Sequence, residues 1–235
     1  MSHLGGEARA RYVEAMFARI VPRYDLMNTL MTLGQDRRWR ELAVDGVCLP
    51  PGGRALDVAT GTGELALALA RRSASLVVGL DFTPAMLVAA REKAAARGID
   101  AVRFVAGDAL ALPFAADAFD AATIGFGLRN VADLPRALSE IARVLRPGGR
   151  MACLELTHSP VRPFALAARP YFFGVVPLLG SLVAGNREAY TYLPESVERF
   201  PDAPRLAAMM RAAGFRRAGY RLLNLGTIAI HVGVK

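Results

Sequence analysis

The chain has 235 residues, 53% of them hydrophobic, and a formal net charge of +8. It is long enough for one sizeable α/β core, a class that reaches roughly 250 residues, and apolar enough to bury it. The basic residues are scattered and almost all Arg, with Lys only at Lys93 and Lys235, which argues against a nucleic-acid-binding stripe; an anionic membrane surface is an equally good electrostatic partner.

The N-terminus lacks the charged-then-apolar layout of a secretory signal, so a cytoplasmic protein is expected, with contact at the inner face of the membrane left open. From about Glu7 to Val47 the chain reads as helices that precede a sheet. Val13, Met16, Phe17 and Ile20 recur at helical spacing, Pro22 breaks the pattern, and Leu26, Met27, Leu30 and Met31 resume it. The Met and Leu positions read as core packing, and polar Tyr24, Asp25 and Asn28 interrupt them. A second helix, near Asp36 to Val47, carries Arg37, Arg38, Trp39 and Arg40, a basic turn that is either solvated or laid on a membrane surface. Cys48 and Cys153 stand in no metal or redox spacing and read as buried thiols. His3, His158 and His231 form no ligand pattern with them, so no metal is expected.

The stretch Arg54 to Glu64, RALDVATGTGE, reads as a strand, a glycine turn and a helix start. From there strands and helices alternate. The strands are Ala55 to Val58, Leu76 to Leu80, Val102 to Val105, Ala121 to Ile124 and Met151 to Leu156; helices near Glu64 to Arg72, Pro84 to Arg97 and Leu134 to Leu145 separate most of them. Arg146-Pro147-Gly148-Gly149 reads as a turn. Such alternation makes a parallel sheet with helices on both faces and a ligand at the carboxyl ends of the strands. Thr157 to Phe200 is a long insertion. A helix from Pro204 to Ala213 and two strands, Phe215 to Leu223 and Thr227 to Val234, then suggest an antiparallel hairpin at the sheet edge. A single domain over 1–235 is expected, with 1–50 as a helical substrate cap and 157–200 as a helical lid.

Gly61, Gly63 and Ala66 satisfy the dinucleotide-binding glycine pattern, and Asp81 follows at about the 20-residue distance where an acid accepts ribose hydroxyls. The loop alone therefore indicates a nucleotide-like ligand without choosing one. Two features choose. A nicotinamide-type domain runs on in parallel units, whereas the methyltransferase variant ends in a hairpin. Carboxylates also close the first three strands. Asp57 either caps the turn or accepts from a ligand ammonium, Asp81 takes the ribose, and Asp108 beside the small Ala109 is placed for an adenine. Three acids suit a cationic ligand without phosphate, which points to S-adenosylmethionine.

After the fourth strand comes Gly125-Phe126-Gly127-Leu128-Arg129-Asn130-Val131. With Tyr24-Asp25-Leu26-Met27-Asn28, Leu56-Asp57-Val58-Ala59, the RVLRPGGR run from Arg143 to Arg150 and Tyr190-Thr191-Tyr192-Leu193-Pro194-Glu195-Ser196, it resembles the ubiquinone/menaquinone-biosynthesis C-methyltransferase family. The resemblance implies a Rossmann-like class I methyltransferase with a mostly parallel seven-stranded sheet. It also implies methyl transfer from S-adenosylmethionine to a ring carbon of a prenylated quinol, either demethylmenaquinol or a methoxybenzoquinol. Carried over by position, Thr62, Asp81, Asp108 and Ala109 are cofactor contacts, joined by Asp57, Gly61, Gly63, Phe82 and Gly125. At Gly125 some relatives carry Ser, so only backbone contact is available here.

A ring carbon becomes nucleophilic when a ring hydroxyl ionises, and a phenol-like hydroxyl sits near pKa 10. Lowering that by roughly two to three units supplies about 3 to 4 kcal/mol. Arg129 is the candidate for this, its alternative being a salt bridge to Asp133; Asn130 and Tyr24 are candidates to orient the quinol oxygens. His158 is a weak candidate base. Pro170 to Gly185 is uncharged for about 16 residues, short of the roughly 20 that span a bilayer, and reads as an apolar lid, an interfacial segment or a buried helix pair. The expected partners are the prenylated quinol and not nucleic acid, with peripheral membrane contact and a homodimer left open. The alternatives are an S-adenosylmethionine enzyme acting on another small lipophilic metabolite, and a peripheral membrane protein with a degenerate nucleotide fold.

Overall fold

Ala55, Leu56, Asp57 and Val58 are all buried, a continuous run rather than an alternating one, and such a strand needs helices on both faces. In the computed structural model, which describes residues 6–73, 76–161, 170–184 and 187–235, β1 (Arg54–Val58) has that surrounding. It lies within a seven-stranded sheet of order β3-β2-β1-β4-β5-β7-β6. The other strands are β2 (Leu76–Asp81), β3 (Val102–Ala106), β4 (Phe119–Gly125), β5 (Leu145–Leu156), β6 (Arg217–Leu223) and β7 (Ile228–Val234). Strands β1 to β5 pair in parallel, and β7 runs antiparallel to both β5 and β6, the hairpin edge that the tail of the sequence indicates.

Alternate residues divide the core between the two faces. Leu56 and Val58 pack with Leu138 and Ile141 of α5 (Leu134–Val144) and with Leu206 and Met210 of α8 (Ala203–Ala212). Ala55 faces Trp39 and Val44 of α2 (Gln35–Val47) and Leu65 and Leu69 of α3 (Glu64–Ser73). Between β2 and β3, α4 (Pro84–Ala96) starts on Pro84, whose missing amide costs nothing at that position. Asp133 and Asp202 each cap a helix by accepting a backbone N–H, from Arg136 and Arg205.

Three expectations need correction. Pro22 does not end the first helix: α1 runs from Gly6 to Thr32 with the proline inside. The lost hydrogen bond is outweighed because Met16 and Ile20 before it and Met27 after it enter one cluster with Val176 and Tyr190, so both halves are held by the same packing. Arg146 to Gly149 does not separate a helix from a strand. Phe119 pairs with Leu145 but Ala121 with Arg150, so residues 146–149 bulge out of β5, turning on Gly148 at φ 81°. Cys153 is buried, but Cys48 is exposed at the left-handed end of α2, its sulfur accepting from Arg150 Nη1 at 3.0 Å.

The insertion after β5 enters a π-turn at Tyr171–Val175 and continues as α6 (Val176–Ala184) and α7 (Arg187–Arg199), with residues 162–169 and 185–186 outside the described set. Both helices pack on α1, and the Tyr171 hydroxyl donates to the Met31 carbonyl at 2.8 Å. Among the described residues no helix is long and apolar enough to cross a membrane.

Candidate active site

The carboxyl ends of β1, β2 and β4 surround a cavity of about 870 Å³ lined by Ala59, Gly61, Asp81, Phe82, Asp108, Ala109, Gly125 and Asn130. Two wall positions, Ala59 at φ 50° and Phe126 at φ 56°, hold the left-handed backbone that non-glycine residues avoid; such strain gathers at functional sites. Asp81 Oδ2 accepts from Gly61 N at 2.7 Å and Oδ1 from Thr83 N at 2.8 Å, which fixes the carboxylate at the cavity edge. Burial pushes its pKa up against those hydrogen bonds. The Phe82 ring is 44% exposed at the rim, and Asp108 Oδ1 accepts from Leu110 N at 2.9 Å beside buried Ala109. Asn130 Nδ2 reaches the Phe126 carbonyl at 3.4 Å, while its buried Oδ1 has no partner among the described residues. An acid, an unanswered acceptor and a rim aromatic fit a nucleoside with a cationic tail.

Asp57 and Thr62 do not line this cavity. They border a smaller void of about 370 Å³ that shares Ala59, Gly61, Gly125 and Phe126 with it, and their polar atoms are already engaged. Asp57 Oδ2 accepts from Thr60 Oγ1 at 2.6 Å and Ala66 N at 3.1 Å, and Oδ1 from Thr123 Oγ1 at 2.7 Å. It caps the turn, and burial raises its carboxyl to about 6. Thr62 Oγ1 donates to Asp25 Oδ1 at 2.7 Å, and Lys93 Nζ meets Asp25 Oδ2 at 2.5 Å, so both anchor α1 across the glycine loop. Gly63, at φ 86°, serves packing: a Cβ there would lie 3.1 Å from Phe104 Cζ and 3.2 Å from Ala90 Cβ. A Cβ on Gly125 would meet only the end of the Leu65 side chain, at 2.5 Å.

A second cavity, of about 950 Å³, adjoins the first through a shared wall of Phe17, Tyr24 and Phe126. Its lining is mostly aromatic and aliphatic, including Met16, Ile20, Trp39, Tyr190 and Tyr192, with polar positions that include Asn28, Asp36, Arg129 and Asn224. Burial raises the pKa of Tyr24, with Arg129 and the Asn28 side chain opposing.

Arg129 therefore belongs to the second cavity and Asn130 to the first, so the two are not a pair on one oxygen. Arg129 does not act as an unopposed cation either. Its Nη1 lies 2.6 Å from Glu155 Oε1 and 2.6 Å from the Phe126 carbonyl, with the two side chains 7% and 1% exposed. The pairing with Asp133 is replaced by this one, because Asp133 is spent on its helix cap. His158 lies elsewhere, its Nε2 against the Val197 carbonyl at 3.0 Å beside Glu198 and Phe200, and is no candidate base. Glu155 and Phe126 carry no role in the sequence-based expectations: an acid inside an apolar strand end was the available signal for Glu155, and for Phe126 its place between Gly125 and Gly127 in the motif after the fourth strand.

A family model described as the ubiE/COQ5 methyltransferase family matches residues 6–235. The chain is 55% identical to the demethylmenaquinone methyltransferase of Thermus thermophilus, covering 93% of this chain and 99% of that one. It is 44% identical to the ubiquinone/menaquinone biosynthesis C-methyltransferase UbiE of Paracoccus denitrificans, covering 97% and 92%. A solved S-adenosylmethionine-dependent methyltransferase of Thermotoga maritima, described as a possible histamine N-methyltransferase, superposes with a TM-score of 0.63 at 21% identity over 94% of this chain and 99% of that one. At that identity the likeness concerns the fold.

Proposed function

The chain belongs to the ubiE/COQ5 methyltransferase family, and on that premise we propose which cavity holds which reactant. The protein is an S-adenosylmethionine-dependent C-methyltransferase of menaquinone/ubiquinone biosynthesis. The observation that carries the assignment is the pair of adjoining cavities, one acid-edged at the strand ends and one aromatic, with Phe17, Tyr24 and Phe126 as their common wall.

The first cavity takes the donor, and S-adenosylmethionine bound there supplies an electrophilic methyl group. Asp81 accepts the ribose hydroxyls, Phe82 and Ala109 flank the base, and Asp108 meets its amino group. Asn130 Oδ1 is the open acceptor on the same wall. Gly61 and Gly125 let backbone approach without side-chain obstruction. The second cavity takes the quinol ring, with residues 1–50 as cap and 157–200 as lid. Tyr24 stands between ring and donor, where its hydroxyl, kept protonated by burial, orients the nearer oxygen. Arg129 supports the wall through Phe126 and Glu155, and its charge reaches the ring only in part.

The ring is a naphthoquinol, the reading favoured by the higher identity to the demethylmenaquinone methyltransferase than to the ubiquinone/menaquinone biosynthesis C-methyltransferase. In competition at equal concentration with labelled methyl donor, demethylmenaquinol should take most of the label over the methoxybenzoquinol. The reverse preference would overturn the choice.

A polyprenyl tail has to arrive from lipid. Leu33, after α1, is 87% exposed, and Leu178 and Leu182 of α6, which packs on α1, are 58% and 74% exposed, with the exposed Arg37 and Arg38 following on α2. Apolar tips beside guanidinium groups suit an anionic membrane surface. The protein should co-sediment with phosphatidylglycerol vesicles at low salt, and Leu33→Glu with Leu182→Glu should abolish it. Undiminished sedimentation of that variant would remove the contact from this face.

A further inference from the structure

The aromatic cavity carries a hydroxyl that the assignment above leaves idle. Tyr190 of α7 is 4% exposed, and its hydroxyl has no hydrogen-bond partner among the described residues. A buried phenol without a protein partner leaves its hydrogen bond to whatever fills the cavity, so a polar group on that occupant is the expected partner. The ring has little freedom to turn elsewhere: a Cβ on Gly180 of α6 would lie 2.2 Å from Tyr190 Cδ2, so the ring rests where that turn lacks a side chain.

The hydroxyl is also a donor that stays a donor. Burial pushes its ionisation well above the usual tyrosine range, and the nearby Tyr24 adds to that. Arg129, the cation of the same cavity, is offset by Glu155. Beside Tyr24, whose hydroxyl meets the nearer oxygen, and Tyr192, whose hydroxyl is also buried without a partner among the described residues, Tyr190 offers the oxygen that develops negative charge a neutral donor whose ring is held in place by Gly180, and such donors act most strongly on the ionised form.

We propose that the Tyr190 hydroxyl donates to the ring oxygen of the quinol in its ionised form, and thereby lowers the pKa at which the ring carbon becomes nucleophilic. This rests on the aromatic cavity being the quinol site.

The probe is 1-naphthol, a two-ring phenol whose naphtholate absorbs at longer wavelength than the neutral form. Titrated with pH in the presence of saturating protein, bound naphthol should ionise about one pH unit higher with Tyr190→Phe than with the unaltered chain. The phenylalanine keeps the ring on Gly180, so S-adenosylhomocysteine affinity should stay the same. Gly180→Ala, which displaces the ring but keeps the hydroxyl, should shift ionisation in the same direction. With demethylmenaquinol as substrate, the rising limb of the pH–kcat profile should move up by the same amount in Tyr190→Phe. Naphthol bound with identical ionisation by both chains would overturn the role of Tyr190 while leaving the cavity assignment standing. No naphthol binding by the unaltered chain would overturn both.

Discussion

Arg129→Ala should lower the stability of the fold by about 3 to 5 kcal/mol, because it leaves the Glu155 carboxylate buried without its counter-charge. The side chain of Glu155 is 1% exposed, and its two oxygens are held by Arg129 Nη1, the Leu156 N–H and the Arg129 N–H. The same guanidinium nitrogen donates to the Phe126 carbonyl and so holds a residue at φ 56°, where the backbone needs outside support. Turnover should therefore fall with stability, since Phe126 is part of the wall between the two cavities. Arg129→Met combined with Glu155→Leu removes both charges at similar volume and should recover much of the stability but not the turnover. Urea unfolding followed by circular dichroism reads the difference. A loss under about 1 kcal/mol for Arg129→Ala, the range of an exposed pair, would contradict the buried-pair account.

What could be read from the sequence follows from the range over which each signal acts. The central strands were legible because they are buried on both faces and so appear as largely apolar runs, as in Ala55 to Val58 around Asp57 and Val77 to Leu80. The terminal hairpin was legible because Asn224-Leu225-Gly226 sits between two strand-like segments, the exposed edge strand β6 and the buried β7, and Leu225 and Gly226 do turn at φ 53° and 85°. Asp81 was legible from its distance to the glycine loop, and the structure brings the two together through the Gly61 N–H.

The features that local reading did not reach all involve partners remote in sequence. Thr62, a cofactor contact by the family resemblance, has its hydroxyl engaged by Asp25, 37 positions earlier. Arg129 was offered a partner four residues on and found one 26 residues on, across a strand. Pro22 is a local helix breaker overruled by packing against α6 and α7, which no local window contains. The second cavity was the least legible feature. Its walls come from α1, α2, the turn after β4, α6, α7 and the hairpin, and each contributes residues that read individually as ordinary core.

The redox state of the substrate should decide between turnover and none. A ring carbon attacks the donor methyl only when an adjacent ring oxygen can push electron density onto it, which an ionised hydroxyl does and a quinone carbonyl does not. The groups lining the proposed quinol cavity are suited to that form. Tyr24 and Tyr190 are both kept protonated by burial, and neutral hydroxyl donors gain most when the oxygen they meet carries charge. Among the described residues no obvious general base lines the aromatic cavity: Asp36, the acidic residue there, is already ion-paired with Arg40. Ionisation therefore depends on lowering the pKa of the quinol and not on a strong base, and the rate should rise with pH until the bound quinol is fully ionised.

The most direct test supplies labelled methyl donor with demethylmenaquinol and, separately, with demethylmenaquinone under air. Label in the reduced ring alone is the expected result. Equal labelling of the oxidised ring would contradict attack from an ionised hydroxyl, and label in neither would contradict the assignment of the aromatic cavity to a quinol.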